Sequence, residues 1–196
     1  MDPDREGLYR GLSNAAWAYL FLNFDLNLGT VSVTPRFVGW LLLVAAIRDL
    51  ARERRDLSLL RPLGLLLAAW SGANWLLRWA GQTIDGHILF LDLLVSVAAI
   101  YFHFQFLTDL AALAQQHQPQ DGDLDRRLRR RRTAYILITT AVSVLLHLPA
   151  GRYLEPQGYA ALGLAAAGLI TALFIMVGVF ELRGLFRDQR PDLPQA

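Results

Sequence analysis

Long apolar runs alternate along this chain with clusters of arginine, and the clusters fall on every second connection. A lipid interior offers no water to an unpaired backbone group, so a chain that threads it must satisfy its own hydrogen bonds, as a helix does. The runs approach the roughly 20 residues a spanning helix needs and exceed the roughly 10 of a spanning strand. The predicted class is therefore all-α: one transmembrane helical-bundle domain over residues 1–196.

Six segments can be drawn: about Leu8 to Phe24, Pro35 to Ala51, Pro62 to Trp79, Gly86 to Leu107, Thr133 to Leu148 and Gln157 to Leu182. Thr34-Pro35 makes a good start for the second, with Thr as N-cap and Pro in the first turn. The first hairpin is the least apolar. Segment one carries Asn14 and Asn23, with Asp25 and Asn27 at its exit. Segment two is uninterrupted only from Phe37 to Ile47, roughly 16 Å of helix, about half a bilayer core. That hairpin either tucks against the other helices or stops short of crossing; if segment one does not cross, the count is five. The helical pattern of segment four runs on as a stem towards Pro119. A flexible cytoplasmic loop is expected over about 115–132, because Gln115 to Asp125 is rich in Gln, Asp and Gly.

Sixteen of the nineteen arginines fall on one side of such a bundle, and only Arg36, Arg78 and Arg152 fall on the other. Basic residues accumulate on the cytoplasmic side, so both termini and the Arg-rich connections are placed there. Asp2, Asp4 and Glu6 stand where a secretory signal would be basic, so the first segment is expected to be retained. Lysine and cysteine are both absent. Disulfides, thiolate chemistry and Cys-based metal sites are thereby excluded. Every cation is a guanidinium, suited to bidentate contact with phosphate. Three acid–Leu pairs, Asp49-Leu50, Asp109-Leu110 and Glu181-Leu182, close the second helix of each hairpin and hint at a threefold repeat.

The stretch Asn23 to Trp40, NFDLNLGTVSVTPRFVGW, resembles the opening of a family of uncharacterised small multi-pass membrane proteins of bacteria. In that family an Asn-bearing apolar helix is followed by a short turn, a Pro, and a Gly-aromatic pair opening the next helix. The resemblance covers about a fifth of the chain. It implies a place in the bacterial cytoplasmic membrane and no activity, and it assigns no functional residue.

Polar groups inside a bilayer are costly, which makes each of them a site candidate. Ser71, Asn74 and Arg78 share a face of segment three; Asp92, Ser96 and His103 share one of segment four. An outward-facing polar pocket could be built from Asn74, Arg78, Asp92, Ser96 and His147, with Asn23 and Asp25 from the first hairpin. In the competing reading Arg78 and Asp92 neutralise each other and join two helices, with no ligand. His103, among Phe102, Phe104 and Phe106, reads as a packing residue. Gly163, Ala167, Thr171 and Gly178 place small residues along segment six for close helix approach. Trp17, Trp40, Trp75, Trp79 and Tyr153 read as interfacial anchors.

Arg126, Arg127, Arg129, Arg130, Arg131 and Arg132 form the densest local charge. They fit anionic lipid head groups or a docked membrane or cytoplasmic protein. Nucleic acid is not expected, since no aromatic is interleaved to stack on bases. No catalytic motif, phosphate loop, metal spacing or cofactor signature is present. Three functional expectations follow: a small-molecule binding or transport subunit with an outward pocket, resembling in layout the substrate-capturing subunits of vitamin transporters, whose first helix offers small residues to a partner where this chain has Ala15, Ala16 and Ala18 without the regular four-residue spacing; a non-enzymatic scaffold or regulator acting through its arginines; or an intramembrane enzyme acting on a lipid.

Overall fold

The computed structural model describes residues 3–24, 27–28, 31–32, 35–82, 84, 89–147 and 157–187. It is all-α apart from one minimal hairpin. Helices α1 (Pro3–Asn23), α2 (Arg36–Leu50), α3 (Leu60–Trp79), α4 (Leu89–His117), α5 (Leu124–His147) and α6 (Gln157–Arg187) match the six expected segments in order. The strands β1 (Asn27–Leu28) and β2 (Val31–Ser32) pair antiparallel between α1 and α2. Pro35, rather than Thr34, occupies the N-cap of α2, in extended backbone and without a side-chain cap bond. Thr34 lies outside the described residues. Gly81 closes α3 at φ +71°. Its N–H donates to the Arg78 carbonyl at 3.1 Å and that of Gln82 to the Leu77 carbonyl at 2.9 Å. This pair of bonds satisfies orphan carbonyls with a left-handed residue that glycine adopts without strain.

The helices close into a ring: α1 packs on α2 and α6, α2 on α3, α4 on α5, and α5 on α6, while the seam between α3 and α4 is the thinnest between consecutive helices. Close approach of α1 and α2 depends on small residues. A Cβ at Gly39 would lie 2.7 Å from Leu22 Cγ and 3.0 Å from the Ala18 carbonyl, and one at Gly11 would lie 3.0 Å from Leu50 Cγ. Ala15, Ala16 and Ala18 are fully covered by this chain's own helices.

The packed core gathers at one end of the ring. It is built from Leu12 and Tyr19 of α1, Leu43 and Ile47 of α2, Phe102, Phe106 and Leu110 of α4, Leu128 of α5, and Ile175 and Val179 of α6. At the other end, α3 to α6 expose apolar side chains: Leu76 and Trp79, Phe90 and Val97, Val144 and Leu145, Leu162 and Ile170. Two helices, α4 and the Leu162–Phe186 stretch of α6, are long and apolar enough to cross a membrane. Length and composition do not single out the other four. Six crossings are thus not established on that ground, whereas six helices are.

The expected loop over 115–132 is corrected. Helix α4 continues to His117, a short turn covers 118–123, and α5 begins at Leu124, so all six clustered arginines are helical. Arg is a good helix former. Acidic side chains one turn earlier support it, with Arg127 Nε 3.0 Å from Asp123 and Arg129 Nη2 3.9 Å from Asp125. The turn is closed reciprocally: Gln118 Nε2 donates to Asp125 Oδ1 at 2.9 Å, and the Asp125 N–H donates to Gln118 Oε1 at 3.3 Å.

Candidate functional site

A polar and aromatic cluster fills the middle of the ring. His103 of α4 is buried, and its Nδ1 lies 3.3 Å from the Tyr19 hydroxyl of α1. The His103 ring also packs against Trp40 of α2 at 5.1 Å and Tyr135 of α5 at 5.3 Å between centroids. One imidazole thus touches three other helices. The Tyr135 hydroxyl donates to Asn23 Oδ1 at 3.4 Å, and Asn23 Nδ2 donates to the Tyr19 carbonyl at 2.9 Å. Asn23 therefore ties the exit of α1 to α5. Packing is the role the geometry gives His103. Trp40 is corrected from an interfacial anchor to a core residue, because it is only 8% exposed. Tyr19 and Tyr135 are missed by a reading of the sequence; isolated tyrosines in apolar helices carry no spacing signal.

Nearer the Arg-bearing end lie three ion contacts. Arg10 Nε donates to Asp49 Oδ2 at 2.8 Å. Arg54 Nη2 reaches Asp109 Oδ1 at 3.5 Å, and Gln105 Nε2 donates to the other oxygen of Asp109 at 3.2 Å. Arg127 Nη1 lies 3.2 Å from Glu181 Oε2. Each acid of the three acid–Leu pairs thus meets an arginine from an earlier element. The following leucines, Leu50, Leu110 and Leu182, are all completely buried.

The six clustered arginines separate into two sets. Arg131 Nη1 donates to the Phe174 carbonyl of α6 at 2.7 Å, Arg132 Nη1 donates to Thr108 Oγ1 of α4 at 2.7 Å, and Arg132 stacks over Phe104 at 4.5 Å. With Arg127 on Glu181, these three fix how α5 is rotated against its neighbours. Arg126, Arg129 and Arg130 are exposed. Arg129 Nη2 donates to Gln115 Oε1 at 2.8 Å, while Arg126 and Arg130 form no ion pair among the described residues. A shallow groove of about 430 Å³ is lined by Arg129, Arg130, Thr133, Ala134 and Leu137. Asp125, beneath this surface, is held below the usual carboxylate range, first by the Gln118 hydrogen bond, then by the Arg126 backbone N–H and the Arg129 and Arg126 charges.

Residues expected around an outward pocket are distributed as follows. Asn74 is buried and accepts the Ile84 N–H at 3.0 Å, which pins the turn after α3. Arg78 is exposed near the end of α3; Asp92 and Ser96 are half-buried on the first turns of α4. Arg78, Asp92 and Asn74 all have interaction partners. Asn23 belongs to the Tyr135 contact described above. Asp25, Tyr153 and the side chain of His147 lie outside the described residues. On α6, a Cβ at Gly178 would meet Arg131 Nη1 at 2.5 Å and Leu128 Cδ2 at 2.9 Å, so Gly178 permits the close α5–α6 contact. Thr171 donates to the Ala167 carbonyl of its own helix at 2.7 Å, and a Cβ at Gly163 would meet nothing within 4 Å. Among the described residues, no three His, Asp or Glu side chains converge to hold a metal. Comparison with protein-family models, curated proteins and solved structures returns no match to this chain.

Proposed function

We propose that this chain is a multi-pass membrane scaffold, non-enzymatic, whose arginine-bearing end faces the cytoplasm and engages anionic lipid head groups. One observation carries the reading: exposed apolar side chains and exposed arginines lie in series on the same helix, with Leu137 66% exposed two turns beyond Arg129 and Arg130. Water disfavours such an apolar band on α3 to α6, and lipid does not. In a soluble protein a helix as apolar as α4 would be a core helix, but Leu89, Phe90, Leu93, Leu94, Val97 and Tyr101 are exposed on it. The modest apolarity of α1 is compatible with crossing, because its neighbours shield it from lipid. On this reading all six helices cross and both termini lie in the cytoplasm, with the arginines at the headgroup level.

A second reading keeps a small-molecule binding or transport subunit. It is favoured by Asp92 and Ser96, half-buried polar residues one turn apart on α4. The transporter likeness expects small residues of the first helix to be free for a partner, and Ala15, Ala16 and Ala18 are instead covered from within. Membrane extraction followed by headgroup analysis tests the first reading. The protein should resist carbonate extraction and carry anionic phospholipid above its share in the membrane. Release into buffer, or co-purified lipid of unchanged composition, would contradict it.

A further inference from the structure

The groove on α5 has the order of parts that a phospholipid has, an inference that rests on the membrane reading above. Its residues recur at helical spacing along one face, with two guanidiniums at the amino end, Thr133 and Ala134 one turn on, and Leu137 beyond them. The face spans roughly 12 Å of helix axis. Three neighbouring arginines, Arg127, Arg131 and Arg132, are bound to α6 and α4, and Leu128 is buried against the core. The groove therefore looks away from the bundle. Arg129 is held in place through Gln115 on α4, so one of the two cations is positioned before any ligand arrives. The fork of a guanidinium suits the two non-bridging oxygens of a phosphodiester.

We propose that Arg129 and Arg130 hold the phosphate of one anionic phospholipid, with its acyl chain lying along Ala134 and Leu137. The site is discrete: Arg55 and Arg126, also exposed, lie outside the groove and are not needed for it. A carboxylate-bearing protein segment would meet the cations but would have no use for the apolar floor.

The full-length protein in detergent, mixed with phosphatidylglycerol and phosphatidylcholine, tests this by native mass spectrometry of retained lipid. Wild type should retain one phosphatidylglycerol in preference to phosphatidylcholine. The double variant Arg129→Gln/Arg130→Gln should cut that retention by roughly ten-fold or more, since each interfacial arginine is worth about five-fold. Arg55→Gln/Arg126→Gln removes the same charge and should stay within about two-fold of wild type. Leu137→Asn, at the chain end of the groove, should also weaken retention, and millimolar inorganic phosphate should not displace the lipid. Equal losses in the two double variants would overturn the discrete site while leaving a diffuse basic surface standing. Displacement by inorganic phosphate, or an unaffected Leu137→Asn, would overturn the acyl-chain assignment. No headgroup preference in wild type would overturn both the site and the lipid-binding reading beneath it.

Discussion

Arg10 and Asp49 meet at 2.8 Å across the first pair of helices, with the carboxylate buried and the guanidinium largely exposed. An arginine–acid contact also joins Arg127 and Glu181 across the third pair, where both side chains are part-exposed, and Arg54 serves the buried Asp109 from the connection that precedes α3. Such contacts place the charge of each acid where a helix leaves the apolar core, and the next residue, a leucine, fills that core. The three steps make one end of the ring a layer of ion contacts over a packed apolar floor.

Asp109 is the most enclosed of the three acids, 3% exposed at its side chain. Arg54→Gln should therefore lower stability by about 3 kcal/mol, because a buried carboxylate would lose its cation. Replacing both, Arg54→Leu with Asp109→Leu, should recover most of the loss. Thermal unfolding in detergent measures both variants; a double variant no better than the single would show that the charge itself is needed.

Overpacking should discriminate sharply between glycines. Gly39→Ala forces a methyl group against Leu22 and the Ala18 carbonyl, and should cost about 1–3 kcal/mol. Gly163→Ala meets nothing within 4 Å, and its melting temperature should match wild type. Equal effects at the two positions would mean that α1 and α2 do not pack as described.

Acid should loosen the turn between α4 and α5. Asp125 is bound by Gln118 and has a pKa below its ordinary value. In the unfolded chain an aspartate titrates near about 3.9. Its contribution to stability is therefore complete above that value and is lost as pH falls through the lower, folded one. The melting temperature of wild type should drop below about pH 4, whereas Asp125→Ala should start lower at neutral pH and vary less over the acid interval. Parallel curves would remove the role given to this carboxylate.

Within the core, Tyr19→Phe deletes only the hydroxyl that meets His103 and should cost about 1 kcal/mol. His103→Ala removes a ring packed on Trp40, Tyr19 and Tyr135 and should cost about 3 kcal/mol or more through the cavity it leaves. Unfolding midpoints with an unchanged slope in denaturant would report these differences; a harmless His103→Ala would show that the ring is not a packing element.

The helices could be read in advance because apolar runs and charge clusters are properties of contiguous sequence. So could the acid–Leu steps, whose spacing survives without knowledge of their partners. The start of α5 could not, because a run of arginines resembles a solvated loop until Asp123 and Asp125 are seen one turn before Arg127 and Arg129. The central cluster was hidden for a different reason. Tyr135 and Asn23 are separated by 112 residues, and only tertiary packing makes them neighbours. Asn74 was legible as a costly polar group, but its Ile84 partner is set by the turn after α3, which residue spacing does not encode.

The orientation of the arginine-bearing end decides the account most directly. The chain has no cysteine, so single substitutions report cleanly through a membrane-impermeant thiol reagent applied to intact cells. Gln82→Cys, beyond the end of α3, should be labelled from outside, and Gln120→Cys, in the turn between α4 and α5, should be labelled only after the cells are opened. Labelling of both positions from the same side would contradict the account.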